Sequence, residues 1–233
     1  MAVVAKDPLT ALDPWFEFCA KQAGRDKLLR TVQYFGKFVE YRLVTSATPN
    51  KELAKWVKSV SSNISNTRKL FRIGKFLDSW VAALKNVNDA KMKDLEKYMN
   101  VLKNVTTGLY YWYDSIQWVE HVKLIDGIDR KHVDRQRNVW WMWRILFSLV
   151  CLAMKLQANQ IATKKAEKDD KKALVGLQAK KVDIYLDVVR NLCDVPAPLV
   201  GLGYGPFHNG HVGFFGTISS VLGARAEWGP GKK

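Results

Sequence analysis

Arg68-Lys-Leu-Phe-Arg-Ile-Gly-Lys-Phe-Leu-Asp-Ser-Trp-Val-Ala-Ala-Leu84 is the stretch that decides the fold. At about 100° per residue, Leu70, Ile73, Leu77, Trp80, Val81 and Leu84 fall on one face of a helix, and Arg68, Lys69, Arg72 and Lys75 on the opposite one. Phe71 lies at the margin and Phe76 sits among the cations. Such a helix admits three uses: packing on a bundle core, insertion into a membrane surface, or stacking of its aromatics on bases. No DNA- or RNA-binding signature accompanies it, so nucleic acid is not an expected partner.

Upstream, Asn50 precedes a second apolar stripe of Leu53, Trp56, Val57, Val60 and Ile64, which predicts a capped helix from Lys51. The Ser/Asn-rich residues 61–67 interrupt it, and either a break or a bend is expected there. Residues 13–44 read as a further helix, opened by Asp13 and Pro14 and interrupted by the polar residues 21–26.

Downstream, a polar helix is expected over 89–104, then an aromatic stretch from 105 to 125 that Asp114, Glu120 and His121 make too polar for a clear span. Val139–Met154 is apolar except for Arg144; at 16 residues it suits a buried core helix, or a membrane segment with Trp140, Trp141 and Trp143 at the interface. A Lys-rich stretch follows at 162–181, read as a linker or a charged helix surface. From Val195 to Ala224 there is no Asp, Glu, Lys or Arg, and seven of the 15 glycines lie in this run. Gly213, Gly216, Ser219, Ser220 and Gly223 recur at spacings that suit close helix packing in a bilayer.

The fold class expected is all-α: a membrane-associated helical bundle with amphipathic helices and a glycine-rich hydrophobic C-terminal segment. Four regions are expected: a helical region over 1–158, a basic connector and polar helix over 159–194, a hydrophobic membrane segment over 195–224, and a tail over 225–233.

Composition fits an anionic membrane surface or a nucleic acid and does not choose between them. There are 37 Lys+Arg against 22 Asp+Glu, a formal charge of +15, together with 9 Trp, 8 Tyr and 10 Phe. Cys19, Cys151 and Cys193 are odd in number and form no CxxC pair, which argues against a disulfide scaffold or a structural zinc site. No secretory signal pattern is read at Met1–Pro8, and the final Gly-Pro-Gly-Lys-Lys is neither a peroxisome-matrix address nor a prenylation signal. Gly201-Leu-Gly-Tyr-Gly205 lacks a βαβ context, and His208 with His211 lacks a third ligand; no cofactor or metal is expected. With no nucleophile elbow, Walker loop, HExxH or kinase signature, no enzyme is expected.

Four blocks in order resemble the peroxin-11 family of peroxisomal membrane proteins: Gly24-Arg-Asp-Lys-Leu-Leu-Arg-Thr-Val-Gln-Tyr34, Arg68–Phe76, Asp187-x-x-Arg-Asn-Leu-Cys-Asp194 followed by Pro198, and Gly213-Phe-Phe-Gly-Thr-Ile-Ser-Ser220. The resemblance implies a protein of the membrane of peroxisomes or related organelles such as glyoxysomes or glycosomes. It also implies elongation of that membrane before fission by a dynamin-related GTPase and its adaptors, and self-association is expected. The family's curving element maps onto about 51–84. The membrane-binding residues are then Leu53, Trp56, Val60, Ile64, Leu70, Phe71, Ile73, Leu77 and Trp80 on the inserting side, with Arg68, Lys69, Arg72 and Lys75 meeting anionic phospholipid. A second implication is an oligomeric pore for small metabolites, with Arg144, Asp114 and Glu120 facing its interior.

Overall fold

A computed structural model describes residues 12–166 and 171–228, with only the backbone of Lys171 and Lys172 described. The two chain ends read above and the middle of the Lys-rich stretch lie outside the described residues. Every regular element described is a helix: α1 (Asp13–Ala20), α2 (Gln22–Thr45), α3 (Lys51–Leu70), α4 (Lys75–Val87), α5 (Asp94–His121), α6 (Arg130–Ala166), α7 (Lys171–Asp194), α8 (Pro196–Leu202) and α9 (Asn209–Glu227).

Local chemistry sets most of the boundaries. Lys21 adopts an extended conformation between α1 and α2, within the polar interruption. The Asn50 side chain accepts a hydrogen bond from the Leu53 N–H at 3.0 Å and starts α3. The Ser/Asn-rich stretch neither breaks nor splits this helix. Ser61 is buried with its Oγ only 2.2 Å from where a Gly36 Cβ would stand, so small residues let α3 approach α2. The chain turns instead at 71–74, where Gly74 takes φ +85°, a conformation that glycine adopts without a Cβ penalty.

Six helices close a ring. α2 packs on α3, α3 on α5, α5 on α6, α6 on α7, α7 on α9, and α9 back on α2. The remaining helices are appended: α1 packs on α2, α4 on α5, and α8 on α6 and α9. Trp15 and Phe18 meet Trp228 at 6.2 and 5.2 Å between ring centroids, tying the two ends of the described chain together.

α6 has 37 residues, roughly 55 Å at about 1.5 Å per residue. Val139–Met154 forms its middle, and among the described residues it is the one helix long and apolar enough to cross a membrane by length and composition. The expected C-terminal membrane segment does not form such a span. Residues 195–224 divide into α8, a turn with Gly203 and Gly205 at positive φ, and α9. Pro196 and Pro198 fall in the first turn of α8, where a proline costs no hydrogen bond.

Candidate functional site

The interior of the ring holds many polar and charged side chains beside its aromatic cluster, and much of the exterior is apolar. Among the described residues, sixteen polar or charged residues are buried against twelve hydrophobic ones, while 34 large hydrophobics are exposed. In water this is the costly arrangement. In a bilayer it is the stable one, since lipid solvates the outer face and ionisable groups turn to the bundle interior.

The helix read over 68–84 is divided by the turn at 71–74 into the end of α3 and most of α4, and of its cations Arg68, Lys69 and Arg72 face inward. Arg68 is buried and grips Asp26 of α2 with Nε to Oδ1 at 2.9 Å and Nη2 to Oδ2 at 3.3 Å, while Nη1 donates to Gln33 at 2.6 Å. Arg72 reaches Asp114 of α5 at 2.8 Å and the Tyr110 hydroxyl at 3.3 Å. Lys69 is buried as well, and Lys75 opens α4 at partial exposure. Arg68 and Arg72 are therefore not placed to meet headgroups, since a fixed carboxylate partner in the low-dielectric interior outcompetes that use, and Lys69 is buried beside them. Leu53, Trp56, Leu70, Ile73 and Leu77 are exposed, and Val60, Ile64 and Phe71 are half-buried. Trp80 lies over Gly108 rather than outward, in contact with Phe76 and Trp112. That cluster accounts for Phe76, which packs edge-on to Trp112 at 4.9 Å.

The four sequence blocks meet inside the ring. Asp26 and Arg30 belong to the first, Arg68 to the second, Asp194 to the third and Ser219 to the fourth. Arg30 joins three of them, with Nη2 at 2.5 Å from Asp194 Oδ1 and Nη1 donating to Ser219 Oγ at 3.0 Å. Arg144 approaches the other Asp194 oxygen at 3.9 Å and lies 5.4 Å above the Tyr110 ring. Arg137 donates to Gln117 at 3.0 Å and stands 3.8 Å from Asp114, which is 1% exposed. Glu120 does not join this interior; it pairs with Arg130 at 3.0 Å near the end of α5.

Around these groups lies a cavity of about 550 Å³ to which all six ring helices contribute. Ten cationic side chains and four carboxylates line it among the described residues. On α6 the lining runs from Arg137 through Arg144 and Ser148 to Lys155. That is roughly 27 Å of axis, close to the ~30 Å hydrocarbon core of a bilayer.

Sequence reasoning missed most of this lining, although a signal exists. Asp26, Arg30 and Gln33 recur at i, i+4 and i+7, as do Asp187, Asn191 and Asp194, so each helix carries a polar stripe as regular as its apolar one.

Gly213, Gly216, Ser219, Ser220 and Gly223 are all buried on α9. The three glycines pack against α2: Cβ atoms at Gly213, Gly216 and Gly223 would lie 2.4 Å from the Phe38 backbone nitrogen, 2.1 Å from Tyr34 and 3.1 Å from Lys27. Because α2 of the same chain covers this face, it is closed to a second copy. His208 and His211 stack at 3.7 Å and cap α9, His208 Nδ1 accepting from the Gly210 N–H at 3.1 Å. No cluster of three metal-ligating side chains occurs among the described residues.

Comparison with known proteins places these features. The family model of peroxisomal biogenesis factor 11 (PEX11) matches residues 12–228. Peroxisomal membrane protein 11A of Rattus norvegicus is 26% identical, covering 91% of this chain and 94% of its own length. Peroxisomal biogenesis factor 11 of Schizosaccharomyces pombe is 27% identical over 88% of this chain and 90% of its own. Peroxisomal membrane protein PMP27 of Saccharomyces cerevisiae is 26% identical over 91% and 92%. No solved structure matches the chain.

Proposed function

Because the chain belongs to the peroxisomal biogenesis factor 11 family and is a peroxisomal membrane protein of peroxisome biogenesis, we propose that it curves and elongates the organelle membrane. Elongation prepares the membrane for fission by a dynamin-related GTPase and its adaptors, and so controls peroxisome number and size. The family is not known as one of enzymes.

The observation that supports this reading is the outward apolar face of α3 and α4, with Leu53, Trp56, Leu70, Leu77, Val81 and Leu84 exposed. α4 packs on α5 and stands outside the ring of six helices. An outer apolar helix buried at the headgroup boundary expands one leaflet, which favours curvature. Attraction to anionic lipid then falls to cations outside the interior network, Lys75 among them. Self-association of copies in the membrane would use the outer apolar faces.

The test is tubulation of anionic vesicles by the full chain. Leu77→Ser with Val81→Ser and Leu84→Ser should reduce tubule formation about tenfold or more, since each removes about 1–2 kcal/mol of apolar burial in lipid while leaving the ring untouched. Unchanged tubulation by a variant of normal helicity would sink the wedge.

A second reading is favoured by the cavity: a polar path for small metabolites. The length of its lining along α6 supports it. The path lies within one chain rather than between copies. Purified protein should show stepwise conductance in a planar bilayer, and Ser148→Trp, which sets an indole into the cavity, should lower the unit step. Protein that never conducts removes this reading.

A further inference from the structure

Cations outnumber carboxylates in the cavity by more than two to one, although an isolated charge in the interior of a bundle is costly. Three of the four carboxylates are already shared, and the fourth, Glu227, cannot balance the remaining cations. Asp194 serves Arg30 and Arg144, Asp26 is held bidentate by Arg68, and Asp187 pairs with Arg190 at 3.1 Å. Lys27, Lys37, Lys103 and Lys155 have no carboxylate within 4.0 Å among the described residues, and Lys27 sits among Arg30, Arg68 and Arg190 with Asp26 as the one carboxylate acting on it. The Nε of Arg144 is buried with no hydrogen-bond partner among the described residues. A site with this excess of donors and positive charge lacks the anion that balances it.

We propose that the cavity binds a small multivalent anion, a phosphate-bearing or polycarboxylate solute, through Lys27, Arg30, Arg144 and Arg190. Guanidinium forks and ammonium groups suit phosphate and carboxylate oxygens. A volume of about 550 Å³ exceeds what a halide needs and falls in the range of metabolite sites. Aromatic and aliphatic side chains, Tyr34, Tyr110, Trp141, Leu152 and Val212 among them, line the cavity as well, but its ten cations favour an anionic group over an acyl chain. The inference rests on the second reading above, in taking the cavity as open to solute, and adds the class of solute.

The experiment uses the full chain in an uncharged detergent with inorganic pyrophosphate as the probe, read by the unfolding midpoint and by calorimetric titration. A saturable rise in midpoint is expected, absent with sodium chloride of matched ionic strength. Arg144→Gln should weaken binding about tenfold. Lys27→Gln, which breaks no ion pair within 4.0 Å, keeps the fold intact and should also weaken it, by about tenfold or less. An equal shift with sodium chloride, or unchanged affinity in Lys27→Gln, would overturn the site. Repeating the titration in phosphatidylcholine discs with and without phosphatidylserine separates the sources. Binding that survives in both assigns a free anion; loss with phosphatidylserine assigns the cavity to a lipid headgroup and overturns the solute. Flux of neutral glucose through vesicles without pyrophosphate binding overturns the site and leaves the path. Binding without flux of any solute overturns the path and leaves the site.

Discussion

Replacing Arg72 by Leu should destabilise the bundle by about 3–5 kcal/mol, because it leaves a buried carboxylate without its closest counter-charge. Arg72 Nη2 is 2.8 Å from Asp114, which is 1% exposed; the remaining cation, Arg137, is 3.8 Å away. Arg72 lies in the turn between α3 and α4, so helix propensity does not enter. The double variant Arg72→Leu/Asp114→Leu should recover most of the loss, since an apolar pair of similar volume replaces a buried ion pair at little cost. Lys75→Leu, three residues on and without an ion pair within 4.0 Å among the described residues, should change stability by only about 0.5 kcal/mol. Unfolding of the detergent-solubilised protein, followed by helical circular dichroism, measures all three. A loss under about 1 kcal/mol for Arg72→Leu would mean that the arginine faces outward, where the amphipathic pattern alone places it.

Gly213→Leu is the second large effect, and its cause is steric. A Cβ at Gly213 would stand 2.4 Å from the backbone nitrogen of Phe38 and 2.7 Å from its Cα, and a backbone cannot rotate aside as a side chain does. α9 must therefore move off α2, at about 1–3 kcal/mol or more. Gly176 on α7 provides the contrast. Nothing lies within 4 Å of its Cβ position, so Gly176→Ala should stabilise by about 0.5–1 kcal/mol through reduced chain entropy. Unfolding midpoints of the two variants should move in opposite directions. If Gly213→Leu matches the parent, the α2–α9 contact is not close in the membrane.

Much of the helical framework was legible. Asn50 as a cap, the interruption at 21–26 and the small-residue spacing of 213–223 are local features, read from residues within a turn or two of each other. The break at Gly74 was not assigned, because Gly inside an apolar-periodic stretch is tolerated as often as it turns. Polar residues 61–67 suggested two helices or one bent helix, and a single helix, α3, runs through them. Ser61 is small enough to let α3 lie against Gly36, and that benefit shows only once α2 is beside it.

The site was legible only in pieces. Residues 24–34, 68–76, 187–194 and 213–220 stood out separately, yet nothing local joins Arg68 to Asp26, 42 positions earlier, or Arg30 to Asp194, 164 positions later. The sequence by itself determined that the chain is helical, that 68–84 carries cations and hydrophobes at helical spacing, and that 195–224 carries no Asp, Glu, Lys or Arg. Only the tertiary structure decided which of those residues turn inward. Periodicity defines two sides of a helix without saying what medium lies against each, and closing six helices into a ring around Asp26, Asp114 and Asp194 supplies the counter-charges that draw the arginines inside.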